Sequence, residues 1–177
     1  MGWLKRLFGG ESTENAEESD SGRQGMVTVI NRWGIGDGKP FVLPTDPDIP
    51  SVFAQATERE RSALPYGYLS HPSVSVRLAT IAQLAAWGTY HLQKQSLVDL
   101  LADSSHDVRL AAARALWVEP EAVENALRCL RDEIHGSGFR STVSPKAARQ
   151  DLEILRDAAP SDEDRTRFKA LVSEIVG

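Results

Sequence analysis

Two stretches of this chain repeat each other at a spacing of 32 residues, and that spacing constrains the fold more than any other feature. Leu69, Ser73, Val76, Arg77, Leu78, Ala79 and Leu84 recur as Leu101, Ser105, Val108, Arg109, Leu110, Ala111 and Leu116. A fixed period of about 20 to 50 residues marks a stacked array, because one unit alone cannot bury its apolar face and a neighbour of the same kind can cover it. The apolar residues fall at helical spacing, so each unit reads as a pair of helices.

The first unit opens with Pro72 and Ser73 as start signals. Its first helix spans about residues 73–86, with Val76, Leu78, Ala79, Ala82 and Leu84 facing inward, and Gly88 breaks it. Its second helix spans about residues 90–101. The next unit places helices at about 105–117 and 120–134. Trp87 and Trp117 each follow a first helix, 30 residues apart, so the intervening turn absorbs a small register shift. Beyond a loop at 135–144, Ser144 and Pro145 open a helix to about Ala158. Ser161, followed by Asp162, Glu163 and Asp164, opens the last one. These two form a degenerate unit over residues 145–175 that lacks the Val-Arg pair.

Upstream, residues 51–64 read as one helix, with Val52, Phe53, Ala56 and Leu64 on one side, Glu58 to Arg61 solvated, and Pro65 as its stop. It would cover the open end of the array. Residues 26–33 and 41–43 are β-rich on either side of a glycine turn, and read as a small hairpin or an extended wrap. Pro40 and Pro44 restrict the second strand to an edge. The expected architecture is all-α: a short α-solenoid of antiparallel helix pairs over residues 51–177, with clear repeats at 69–101 and 102–134, preceded by the hairpin or wrap at 26–50.

The first eight residues are unlike the rest. At about 100° per residue, Trp3, Leu4, Leu7 and Phe8 share one arc, and Lys5 and Arg6 face away. Such a short amphipathic helix suits a membrane interface or a groove on a partner protein. Arg6 stands where a myristoylation signal requires Ser or Thr. Residues 9–25 are polar and acidic and read as a disordered tether. The net charge of −5 is uneven: residues 1–10 carry +2, residues 11–25 carry −4, and the remainder carries −3. Without a long basic block, a phosphate-tracking surface for nucleic acid is not supported. No run approaches the roughly 20 apolar residues of a membrane span. The start is a poor secretory signal. The expected location is cytoplasmic, with peripheral contact at the inner face of the membrane through residues 1–8.

The string from Leu101 to Leu116, with Asp103, Val108, Arg109 and the spaced alanines, resembles the HEAT-like repeat in the short bacterial form that also occurs in phycobilin lyases. The resemblance covers residues 69–134 in two units and 145–175 loosely. It implies antiparallel helix pairs stacked into a right-handed curved solenoid, and it is specific for fold rather than for function. The first unit departs from the pattern, because His71 and Pro72 stand where the second has Asp103 and Ser104, which leaves its Asp-based cap open. Arg77 and Arg109 occupy one place in each unit. They read as a structural ladder of ion pairs or carbonyl contacts between successive units, using Asp99 or Asp103; a ligand-binding pair is the other reading.

The sequence carries no assembled catalytic signature. Gly34 to Lys39 imitates a phosphate loop, but Trp33 stands where the first glycine belongs and Pro40 where Ser or Thr belongs. His71, His91, His106 and His135 form no metal-binding pair. His71 and His106 lie at nearby points of the two helix starts, which suits capping or solvent exposure. Asp37, Asp46 and Asp48 lack the EF-hand spacing. Cys129, the one cysteine, reads as a small buried apolar residue, and no nucleophile elbow or Cys/His couple is present. No cofactor is implied. The function that fits is a non-catalytic protein-binding scaffold or adaptor with a partner protein the sequence does not name. The alternative, by analogy with HEAT-like arrays, is a lyase, a DNA glycosylase or an accessory subunit of an enzyme.

Overall fold

The structure, a computed structural model, describes residues 25–30, 39–87, 90–136 and 144–176. Trp3, Leu4, Lys5, Arg6, Leu7 and Phe8, the acidic stretch to residue 24, the glycine turn at 34–38 and the Gly88 break lie outside the described residues. Among the described residues, two strands, β1 (Met26–Val29) and β2 (Phe41–Pro44), precede eight helices: α1 (Ile49–Gln55), α2 (Glu58–Leu69), α3 (Val74–Trp87), α4 (Tyr90–Leu100), α5 (His106–Leu116), α6 (Pro120–Ile134), α7 (Pro145–Asp157) and α8 (Asp162–Ile175). The fold is mostly helical, with the expected small hairpin ahead of the helices. The chain divides into two compact units, residues 1–77 and 78–177, with the boundary inside α3.

In the first unit the strands pair antiparallel, Met26 against Pro44 and Val29 against Phe41. Alternation along the pleat puts Val29 and Leu43 in the core and leaves Met26 and Val42 about half exposed. Strand β2 packs on α2. Gly67 permits that approach: a Cβ there would lie 3.1 Å from Phe41 Cγ and 3.3 Å from Leu43 Cδ1.

The single helix expected over 51–64 is two. Asp48 caps α1 and accepts a hydrogen bond from the Ser51 hydroxyl at 2.6 Å. Thr57 opens α2 with a capping box, in which its hydroxyl accepts from Glu60 N–H and the Glu60 carboxylate accepts from Thr57 N–H at 2.8 Å. Pro65 does not end this helix; it lies inside it. Proline in a helix costs about 3 kcal/mol, and burial offsets that cost, because Leu64, Pro65, Gly67, Tyr68 and Leu69 are all buried. A shift of 32 positions sets Pro65 at the place of Leu97, which is also buried.

In the second unit α4 packs on α5 and α6, α5 on α6 and α7, α6 on α7 and α8, and α7 on α8. The core runs through Leu97, Leu101, Val108, Ala112, Leu116, Ala126, Leu127, Leu130, Ala148 and Leu155. Each fully buried leucine contributes about 1.5–3 kcal/mol. The inward row of α3 is not the one expected. It runs Val76, Thr80, Leu84 with Ile81 beside it, while Leu78 and Ala79 are half-buried and Ala82 is exposed. The same row recurs in α5 as Val108, Ala112, Leu116 and Ala113. The i, i+4 ridge, not every apolar residue near it, faces the core. Cys129 is half-buried rather than buried, because it lies on the flank of the α6 stripe set by Ala126, Leu127 and Leu130. No described helix is long and apolar enough to cross a membrane.

Candidate functional site

The repeat is most exact where one helix turns into the next. At the end of α2, Ser70 N–H donates to the Gly67 carbonyl at 3.2 Å and His71 N–H to the Tyr68 carbonyl at 3.2 Å. At the end of α4, Ala102 N–H donates to the Asp99 carbonyl at 3.2 Å and Asp103 N–H to the Leu100 carbonyl at 3.1 Å. Every partner is shifted by 32 positions. The helices that follow begin in the same way, with Arg77 N–H on the Ser73 carbonyl at 3.2 Å and Arg109 N–H on the Ser105 carbonyl at 3.1 Å.

The two arginines lock these turns. Arg77 Nη1 donates to the carbonyls of His71 at 2.6 Å and Pro72 at 3.0 Å. Arg109 Nη1 donates to the carbonyls of Asp103 at 2.7 Å and Ser104 at 3.3 Å. The expected ladder joins successive units, whereas the carbonyl contacts described here fall within each arginine's own turn. A guanidinium suits this task, since it stays charged and presents several donors in a fixed fork. Arg77 is buried and Arg109 half-buried.

The departure of the first unit from the sequence pattern is resolved by His71. Asp103 Oδ1 accepts from Ser105 N–H at 2.8 Å. His71 Nδ1 accepts from Ser73 N–H at 3.1 Å. The imidazole does the work of the carboxylate in the turn. It also does something the carboxylate does not: Nε2 donates to the Pro44 carbonyl at 3.0 Å, 27 residues away. These two bonds fix one neutral tautomer, with the proton on Nε2. His71 is 1% exposed. Burial lowers its pKa below the ordinary value, the Arg77 charge lowers it further, and the Pro44 bond opposes both. The expected caps at Ser73 and Ser105 are not hydroxyl caps, since Ser105 makes no side-chain cap bond and the Ser73 hydroxyl bonds that of Ser75 at 2.8 Å. Next to His71, Tyr68 is fully buried against Phe53, its ring 6.0 Å away, and burial pushes its phenol pKa up.

Beside the second turn lies a groove of about 490 Å³. Asp103, His106 and Arg109 form one wall and Gln150, Asp151, Glu153 and Asp157 of α7 form the other. His106 is exposed, with Nδ1 3.5 Å from Arg109 Nη2. Asp151 is buried. Asp157 pairs with Arg156 at 2.8 Å. The walls are held by Trp117, whose indole N–H donates to the Leu155 carbonyl of α7 at 2.7 Å and whose ring lies 6.1 Å from that of Phe168. Arg167 of α8 pairs with Glu124 of α6 at 3.2 Å. The groove offers carboxylates, one arginine with a hydrogen donor committed to the turn, and an exposed imidazole. Polar recognition is what it can do.

Sequence reasoning singled out Arg77, Arg109 and Asp103, and the structure places each at a turn. It missed the Pro44 bond of His71, for which a sequence carries no local signal. It also missed the buried Glu133 and Asp151. Glu133 falls three residues after Leu130 on the inward stripe of α6, so helical spacing held that signal. Among the described residues, no group of three His, Cys, Asp or Glu side chains could hold a metal ion. The chain matches no protein-family model, no curated protein and no solved structure.

Proposed function

We propose that this chain is a non-catalytic interaction module, a short HEAT-like solenoid that binds a partner protein in the groove beside the second turn. The observation that carries this reading is the duplicated joint. Two helix–turn–helix segments share their hydrogen bonds at a constant 32-residue offset, which is how an array builds a repeated surface. The partner meets carboxylates and an imidazole, so it brings polar and cationic groups of its own. The scaffold acts in the cytoplasm, and residues 3–8 attach it reversibly to a membrane or to a second protein.

Affinity purification of the full chain from its own cells tests this, run beside a Gln150→Arg/Glu153→Arg variant and a Leu4→Asp/Leu7→Asp variant. The groove variant is expected to lose a stoichiometric partner by at least about tenfold, the loss of about 1.4 kcal/mol. The second variant is expected to keep that partner and lose sedimentation with anionic vesicles or a second protein. Equal recovery of every bound protein by the groove variant would overturn the reading.

A further inference from the structure

The turn between α2 and α3 holds more than the fold of the array requires. Its counterpart between α4 and α5 is closed by a carboxylate, Asp103, and needs no imidazole. The imidazole of His71 adds a second nitrogen, which reaches out of the turn to the Pro44 carbonyl at the end of β2. A two-stranded sheet is marginal by itself. The fit of Phe41 and Leu43 over Gly67 and that bond are among the contacts that hold this one.

We propose that His71 is a releasable latch: with its ring neutral it clamps the hairpin to the α2–α3 turn, and protonation of the ring sets the hairpin loose.

The geometry makes the two states exclusive. Both nitrogens are engaged, one as donor and one as acceptor. A proton on Nδ1 would face the Ser73 N–H, donor against donor, at the present 3.1 Å. The charged ring would also sit buried beside the Arg77 guanidinium, which donates to the His71 carbonyl itself. Among the described groups that act on the ring, none is a counter-charge. Helix α3 brings Arg77, β2 brings the Pro44 carbonyl, and the end of α2 brings the Tyr68 carbonyl, already taken by His71 N–H. A protonated ring therefore leaves its place, and the Pro44 bond goes with it. Because the folded ring holds its proton less tightly than an unfolded one, the latch is fully closed above the ordinary histidine value of 6.5 and weakens as the pH falls below it. Linkage limits the opening to about tenfold per pH unit in that range.

Hydrogen exchange of the full chain at about pH 7.5 and about pH 5.0, corrected for intrinsic rates, reads the latch at the amides of β1 and β2. In the wild type, strand protection is expected to fall about tenfold or more at the lower pH, while α5 and α6 keep theirs. His71→Gln can still donate to Pro44 but does not titrate, so its strands are expected to stay protected at both pH values. His71→Asn can still accept from Ser73 N–H but is too short for Pro44, so its strands are expected to exchange fast at both, with the helices intact. Strand protection that is unchanged in the wild type, a pH response that survives in His71→Gln, or protected strands in His71→Asn overturns the latch.

Discussion

A single arginine in each turn donates where the cap of the following helix, His71 or Asp103, accepts. Its described bonds to main-chain carbonyls stabilise the backbone shape of the turn. Bonds from a charged donor are worth about 1.5–3 kcal/mol when buried and less when water can compete. Arg77 is 7% exposed and Arg109 is half-buried. Arg77→Met should therefore cost about 2–3 kcal/mol and Arg109→Met about 1–2 kcal/mol in urea unfolding. The order is the test: equal costs, or a larger one at Arg109, would mean that the carbonyl bonds are not what these residues supply.

At the level of helices, the clearest local device is the capping box of α2. Thr57→Ala removes the acceptor for Glu60 N–H and the hydroxyl donor to the Glu60 carboxylate, leaving only the backbone N–H of residue 57 on that carboxylate, and should lower stability by about 1 kcal/mol. A neutral result in chemical unfolding would show that α1 and α2 are kept apart by packing alone. The helix bounds of α6, α7 and α8 were legible in the sequence to within a residue or so. Pro120, Ser144 with Pro145, and Ser161 are local signals, and local signals survive folding. The break at Ala56 was written as Thr57 with Glu60, but Val52, Phe53, Ala56 and Leu64 also fit one continuous stripe, and the stripe masked the box. Pro65 was misjudged for the opposite reason. Its local cost is plain in the sequence, and the core that outweighs it is not. The bond from His71 to Pro44 spans 27 residues, so no window of sequence contains both its ends. The groove wall supplied by α7 was illegible for the same reason.

Across the second unit, polar bonds join helices whose apolar faces meet in the core, and that of Trp117 reaches from the end of α5 to the backbone of α7. Trp117→Phe keeps an aromatic ring against Phe168 and leaves the Leu155 carbonyl without this donor. It should cost about 1–2 kcal/mol, seen as a fall of a few degrees in Tm; an unchanged Tm would assign the role to the ring alone. The turns themselves lead to a broader point. Their wiring uses main-chain atoms, one arginine and one acceptor, and it turns Pro72, Val74, Ser75, Ser104, His106 and Asp107 outward. Frame and lettering thus part at these outward positions, where a side chain can be rewritten and the bonds beneath it stay, whereas Asp103 and Arg109 belong to the frame and to the groove at once.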